Sequence, residues 1–205
     1  MKRLELVLVL VVGILGMQGT SFGADPRYPD WPCVQIKVPE LSPGAMWAGP
    51  PIEDVGDKWK SDSAVSDLIR RVAVRRTPLE DAEKLVAGFV TGSPDEKQQK
   101  AKLLFAGLFD TLNGERSTVM NGIERLARKR TELAEKIRSD VLNLQALQSA
   151  TTQDAAKISD LANEIEWETR IFEDRRKTIT YVCEVPVLIE QRLFGLARII
   201  QKSLD

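Results

Sequence analysis

Apolar residues follow several different spacings along this chain, and each spacing predicts a different element. From Val119 they step by four and three through Ile123 and Leu126. Arg130 takes the next seam position, followed by Leu133 and Ile137. After a lapse at Asp140 the seam resumes at Leu144 and Leu147, with Val141 beside it, and a second run passes through Ile158, Leu161, Ile165, Phe172 and Ile179. A sustained step of about 3.5 residues is the mark of helices that bury one narrow edge against each other. Two such runs flank the short polar stretch Ser149 to Asp154, which predicts a long antiparallel coiled-coil hairpin over residues 113–182. Asn113-Gly114 is expected to break the chain before it.

Ahead of the hairpin, residues 61–112 predict a body of short amphipathic helices. Val65, Leu68, Ile69 and Val72 form one apolar face, Leu85, Val86, Phe89 and Val90 a second, and Leu103, Leu104, Leu108, Phe109 and Leu112 a third. Thr77-Pro78-Leu79-Glu80 and Ser93-Pro94-Asp95-Glu96 each combine a capping hydroxyl, a proline at the first helical position and a glutamate three residues on, so each predicts a capping box. Gly92 suits the end of the helix between them. Beyond the hairpin, Pro186 must kink the helix or start a new one. Leu188, Ile189, Leu193, Leu196, Ile199 and Ile200 then give residues 183–205 the broad apolar face of a C-terminal helix packed on the body.

Residues 24–60 have no period. Seven of the ten prolines fall here, and each disfavours helix at its own position and just before it. Trp31, Trp47 and Trp59 lie in the same stretch, and disordered linkers rarely carry such side chains. The segment therefore reads as an extended arm anchored on the body by its tryptophans, with a surface for a peptide, lipid or glycan as the alternative. The first residues are different again. Lys2 and Arg3 precede an apolar run from Leu6 to Leu15 interrupted only by Gly13, then small and polar residues to Gly23, which is the pattern of a secretory signal peptide cleaved near Gly23. The run is shorter than the roughly 20 residues a membrane span needs, so an uncleaved anchor is the lesser reading.

Composition narrows the chemistry. Formal net charge is −1, and loss of the leader with Lys2, Arg3 and Glu5 makes it −2. Nucleic acid is therefore not an expected partner, and peripheral membrane contact is not favoured. The chain has no histidine, the commonest general base and transition-metal ligand. Phosphate-binding loops, Cys-x-x-Cys and haem-attachment sequences are also missing from it, so neither a cofactor nor a metal site nor an enzyme is expected. Cys33 and Cys183 are the only cysteines. In an oxidising compartment such a pair reads as a disulfide, against the alternative of two buried thiols.

Together these features describe an all-α exported protein, periplasmic or secreted, that acts as a coiled-coil interaction or scaffold module. It would bind a protein partner or itself through the hairpin. The alternative is a periplasmic binding or chaperone-like module. Trp31, Trp47, Trp59, Arg128 and Arg130 are the candidate contacts. Folding back about residues 151–152 sets Arg128, Lys129 and Arg130 near Glu166, Glu168, Glu173 and Asp174, which predicts cross-helix ion pairs, with a groove for an anionic partner as the alternative. Arg70, Arg71, Arg75 and Arg76 form a second basic group, read first as a solvated helix face and second as a site for phosphate or lipid headgroups.

Overall fold

A computed structural model describes residues 25–204. The expected leader, residues 1–23, lies outside the described residues. Within them every regular element is a helix: α1 (Pro43–Met46), α2 (Lys58–Ser61), α3 (Ser63–Val72), α4 (Leu79–Phe89), α5 (Pro94–Ser149), α6 (Ala155–Val182) and α7 (Val185–Lys202).

Local chemistry sets most of the helix starts. The Asp62 carboxylate accepts the Val65 N–H at 3.1 Å and opens α3. At the head of α5 both halves of the capping box form: Glu96 N–H donates to Ser93 Oγ at 3.4 Å, and Ser93 N–H donates to Glu96 Oε2 at 2.8 Å. Gly92 holds φ +115 just before it, a backbone conformation that side-chain-bearing residues rarely adopt. The box expected at Thr77 does not form. Pro78 takes the cap position of α4 without a side-chain bond, and the Thr77 hydroxyl donates instead to the Arg71 carbonyl at 2.8 Å. That carbonyl lies in the last turn of α3, where intrahelical donors run out, so the hydroxyl serves the preceding helix.

The break expected at Asn113-Gly114 is also not there. α5 runs unbroken for 56 residues, about 84 Å at 1.5 Å per residue. One glycine costs a helix about 1 kcal/mol, and the burial of Leu112 and Met120 on either side outweighs it. Gly107 has a different role. A Cβ there would fall 2.3 Å from Ile69 Cδ1 and 2.8 Å from the Trp59 ring, so its lack of a side chain lets α3 and the arm close on α5.

The core sits at the proximal half of α5. Leu104, Phe105 and Leu108 share one core with Val65 and Val72 of α3, Val86 of α4, and Leu193, Leu196 and Ile200 of α7, all fully buried. α7 is a new helix rather than a kinked continuation of α6, with Pro186 in its first turn, where a missing N–H costs nothing.

The arm is not wholly extended, since α1 and α2 are single helical turns within it. Trp47 stacks on Phe105, ring centroids 4.4 Å apart, and its indole N–H donates to the Pro50 carbonyl at 2.7 Å. Cys33 and Cys183 form a disulfide, S–S 2.00 Å, which joins the arm to the end of α6.

Past Ala127, α5 leaves the core and packs against α6. Half-buried residues continue at the heptad step through Leu133, Ile137, Asp140, Val141, Leu144 and Leu147 on α5, and through Ile158, Leu161, Ile165, Glu168, Phe172 and Arg175 on α6. Asp154 opens α6 by accepting the Lys157 N–H at 3.1 Å.

Candidate functional site

Two groups of residues on the α5–α6 pair stand out: a staple where it meets the body, and a polar layer partway along it. The staple forms around the disulfide. Ile123, Ile179 and Cys183 make a small buried cluster with Trp31, Cys33, Val119 and Leu126 packed against it, and Trp31 donates its indole N–H to the Gln35 carbonyl at 2.7 Å. Ion pairs then tie the arm along α5. Lys37 meets Glu124 at 2.5 Å and Arg128 meets Asp30 at 2.9 Å. Arg116, 2% exposed, donates to Glu190 of α7 at 2.6 Å and to the Val38 and Pro39 carbonyls of the arm at 2.6 and 3.3 Å. One buried guanidinium thus joins arm, α5 and α7, satisfying its donors as a buried charge requires.

The polar layer centres on Lys136. Its ammonium lies 2.7 Å from Asp140, 2.8 Å from Glu164 and 2.7 Å from Glu168, and hydrogen bonding to Asp140 first, then to Glu164 and Glu168, raises its pKa well above the usual lysine value. Asp140 and Glu168 hold inward positions of their helices, so the lysine reaches across from the edge and closes two gaps in the apolar seam. The three carboxylates are within 4.8 Å of one another, the spacing a divalent cation would need, but the lysine already fills that position. Glu168 Oε2 is buried without a hydrogen-bond partner. Partial satisfaction of this kind costs stability while fixing which residues face one another.

The cross-helix pairs expected for Arg128 to Arg130 form differently. Lys129 does sit beside α6, since Arg175 donates to its carbonyl at 3.1 Å, but Arg128 turns to Asp30 of the arm. Glu168 is taken by Lys136, while Glu173 and Glu166 pair within α6, with Arg176 and Arg170. Helical geometry explains the change: Arg128 lies two positions past the seam residue Leu126 and so faces the arm rather than α6. Arg130 is half-buried and forms no ion pair among the described residues.

The three arm tryptophans do not share one surface. Trp47 is 8% exposed within the core, Trp59 packs on Gly107, and Trp31 covers the disulfide cluster. Leu142 and Trp167 on the α5–α6 pair are each 60% exposed, and Arg170 lies over the Trp167 ring. Lys136, Arg116 and these two apolar residues were not among the candidates drawn from sequence. Asp140, visible as a lapse in the seam, and Glu168, expected in a cross-helix ion pair though with a different cation, pointed toward the polar layer.

Among the described residues no helix is long and apolar enough to cross a membrane. No family model matches this chain, and neither a curated protein nor a solved structure shows significant similarity to it.

Proposed function

We propose that this protein is an exported, non-catalytic component of the cell envelope, in which the distal half of α5 and α6 form an antiparallel coiled-coil hairpin that docks on a protein partner or on a second copy. The register supports this arrangement. Lys136 meets Glu164 and Glu168, Arg175 meets Lys129, and Ile123 clusters with Ile179, so residues later in α6 meet residues earlier in α5. The staple holds the base of the hairpin, and about 30 Å of it extends past the last buried residue of α5, Ala127. The disulfide is in keeping with an oxidising compartment, as the leader is.

The observation that carries the docking reading is the exposure of Leu142 and Trp167 on helices whose inner edges are already paired. An isolated exposed leucine needs no explanation, whereas a tryptophan left more than half exposed forgoes a large burial gain unless another surface covers it. The experiment is photo-crosslinking in the native envelope from Gln153, in the turn between the helices, and from Trp167. The expected result is a discrete adduct with a helical protein or with the chain itself. Adducts from body positions alone, with none from either hairpin position, would overturn the reading.

A further inference from the structure

Where α3 ends, the body contains a half-enclosed cavity of about 470 Å³, within the usual size range of small-molecule sites. Its apolar wall is made by Ala73, Val74, Leu112 and Ile189, and its charged wall by Arg70, Arg75 and Arg192. Arg192 is 8% exposed and has no carboxylate partner among the described residues. Its Nε and Nη2 both donate to the Val72 carbonyl, at 3.1 and 2.5 Å, and Nη1 has no acceptor among the described residues. Nη1 is open to the cavity, and a single carbonyl leaves the guanidinium free to donate to an anion there.

The surroundings favour an anion as the missing partner. Arg75 likewise forms no ion pair among the described residues, and Arg70 pairs with Asp67 at the exposed edge of α3. Glu115 is the one carboxylate on the lining, against three guanidinium groups. The carbonyl end of α3 carries partial negative charge, which Arg192 offsets. Apolar surface on the other wall would leave a small hydrated ion poorly matched, while a hydrocarbon tail would fill it.

We propose that this cavity binds an amphipathic anion, a carboxylate or phosphate head on a short apolar chain. Arg192 and Arg75 hold the head, and Val74, Leu112 and Ile189 receive the tail. Guanidinium forks suit both heads because they donate two parallel charge-assisted hydrogen bonds. This site lies in the body and is independent of the docking reading, since hairpin crosslinking does not report on it.

The test is isothermal titration of the disulfide-bonded protein with decanoate and with decyl phosphate, below the concentrations at which either forms micelles. Decanol, acetate and inorganic phosphate serve as controls. The expected result is one site per chain with a dissociation constant below about 1 mM for at least one of the two amphiphiles, the tighter of them identifying the head. Each control is expected to bind at least about tenfold more weakly, about 1.4 kcal/mol. Arg75→Gln, at an exposed position, removes one head contact, and Thr111→Phe fills the cavity from the exposed side of α5. Each is expected to weaken binding at least about fivefold without lowering the melting temperature appreciably. The proposal is overturned if neither amphiphile binds, if decanol or a tailless anion binds as tightly, or if both variants bind as the unaltered protein does.

Discussion

The two halves of α5 belong to one uninterrupted helix yet live under different rules. From Pro94 to Ala127 the helix lies in a body where Leu104, Phe105 and Leu108 are completely buried in a core shared with α3, α4, α7 and Trp47 of the arm. From Lys129 to Ser149 it packs against α6, and none of its residues is fully buried. In the body, stability comes from dense apolar packing around each side chain. In the distal pair it comes from one narrow edge, interrupted by Asp140 and Glu168. Truncating a buried side chain costs the body far more than the distal pair, while the distal pair depends more on which residues face each other than on how tightly they pack.

Removing the staple should have the largest effect on both halves. Cys33→Ser with Cys183→Ser opens a closure spanning 150 residues, and chain entropy assigns about 4–5 kcal/mol to it. Denaturant titration of the oxidised protein and the double variant measures the loss, and limited proteolysis should show cleavage moving into residues 25–41.

Truncation sharpens the contrast between the halves. Phe105→Ala is expected to cost about 3–5 kcal/mol, because it empties the core and removes the surface on which Trp47 stacks. Leu144→Ala, at a half-buried seam position, should cost roughly 1 kcal/mol, the share of a full leucine burial that such a site realises. Equal losses at the two positions would break the comparison.

Much of this contrast is legible in the residues. The step from Ile123 to Leu147 marks the less exposed edge of α5, Ser93 with Glu96 marks its start, and two isolated cysteines mark the staple. Asn113-Gly114 misleads because local helix propensity is weak beside packing on both flanks, and nothing in the neighbouring residues reveals that packing. Thr77 misleads because its hydroxyl has two helix ends within reach, and only the folded backbone decides between them. Arg116, Arg192 and Lys136 are invisible as a class: a cation that ties one segment to another has the same local sequence as one facing solvent.

The polar layer offers a subtler effect. Replacing Asp140 and Glu168 together with leucine fills the seam and removes the orphaned Glu168 Oε2. The melting temperature should then rise by on the order of a few degrees. Uniqueness of register should fall at the same time, because the charged layer no longer penalises a shifted pairing.

Acid provides the smallest effect. Glu96 is held below its ordinary value of 4.5 by the Ser93 backbone N–H and hydroxyl, and Asp154 below 3.8 by the Lys157 backbone N–H and then its side chain. Depressed carboxylates stabilise fully above their ordinary values, and that contribution is lost as pH falls through the lowered ones. A thermal-melting series from pH 6 downward should therefore stay level on this account until about pH 4.5 and decline below it. Ser93→Ala and Asp154→Ala should flatten the decline.

Double electron–electron resonance between labels at Glu135 and Thr169, with the disulfide intact, tests the arrangement of α5 and α6 most directly. Helices packed side by side, with axes about 8–10 Å apart, place the labels within roughly 20 Å in a narrow distribution. A separation near 50 Å, the length of 34 helical residues laid end to end, would mean that α6 continues away from α5, and the docking hairpin would not exist.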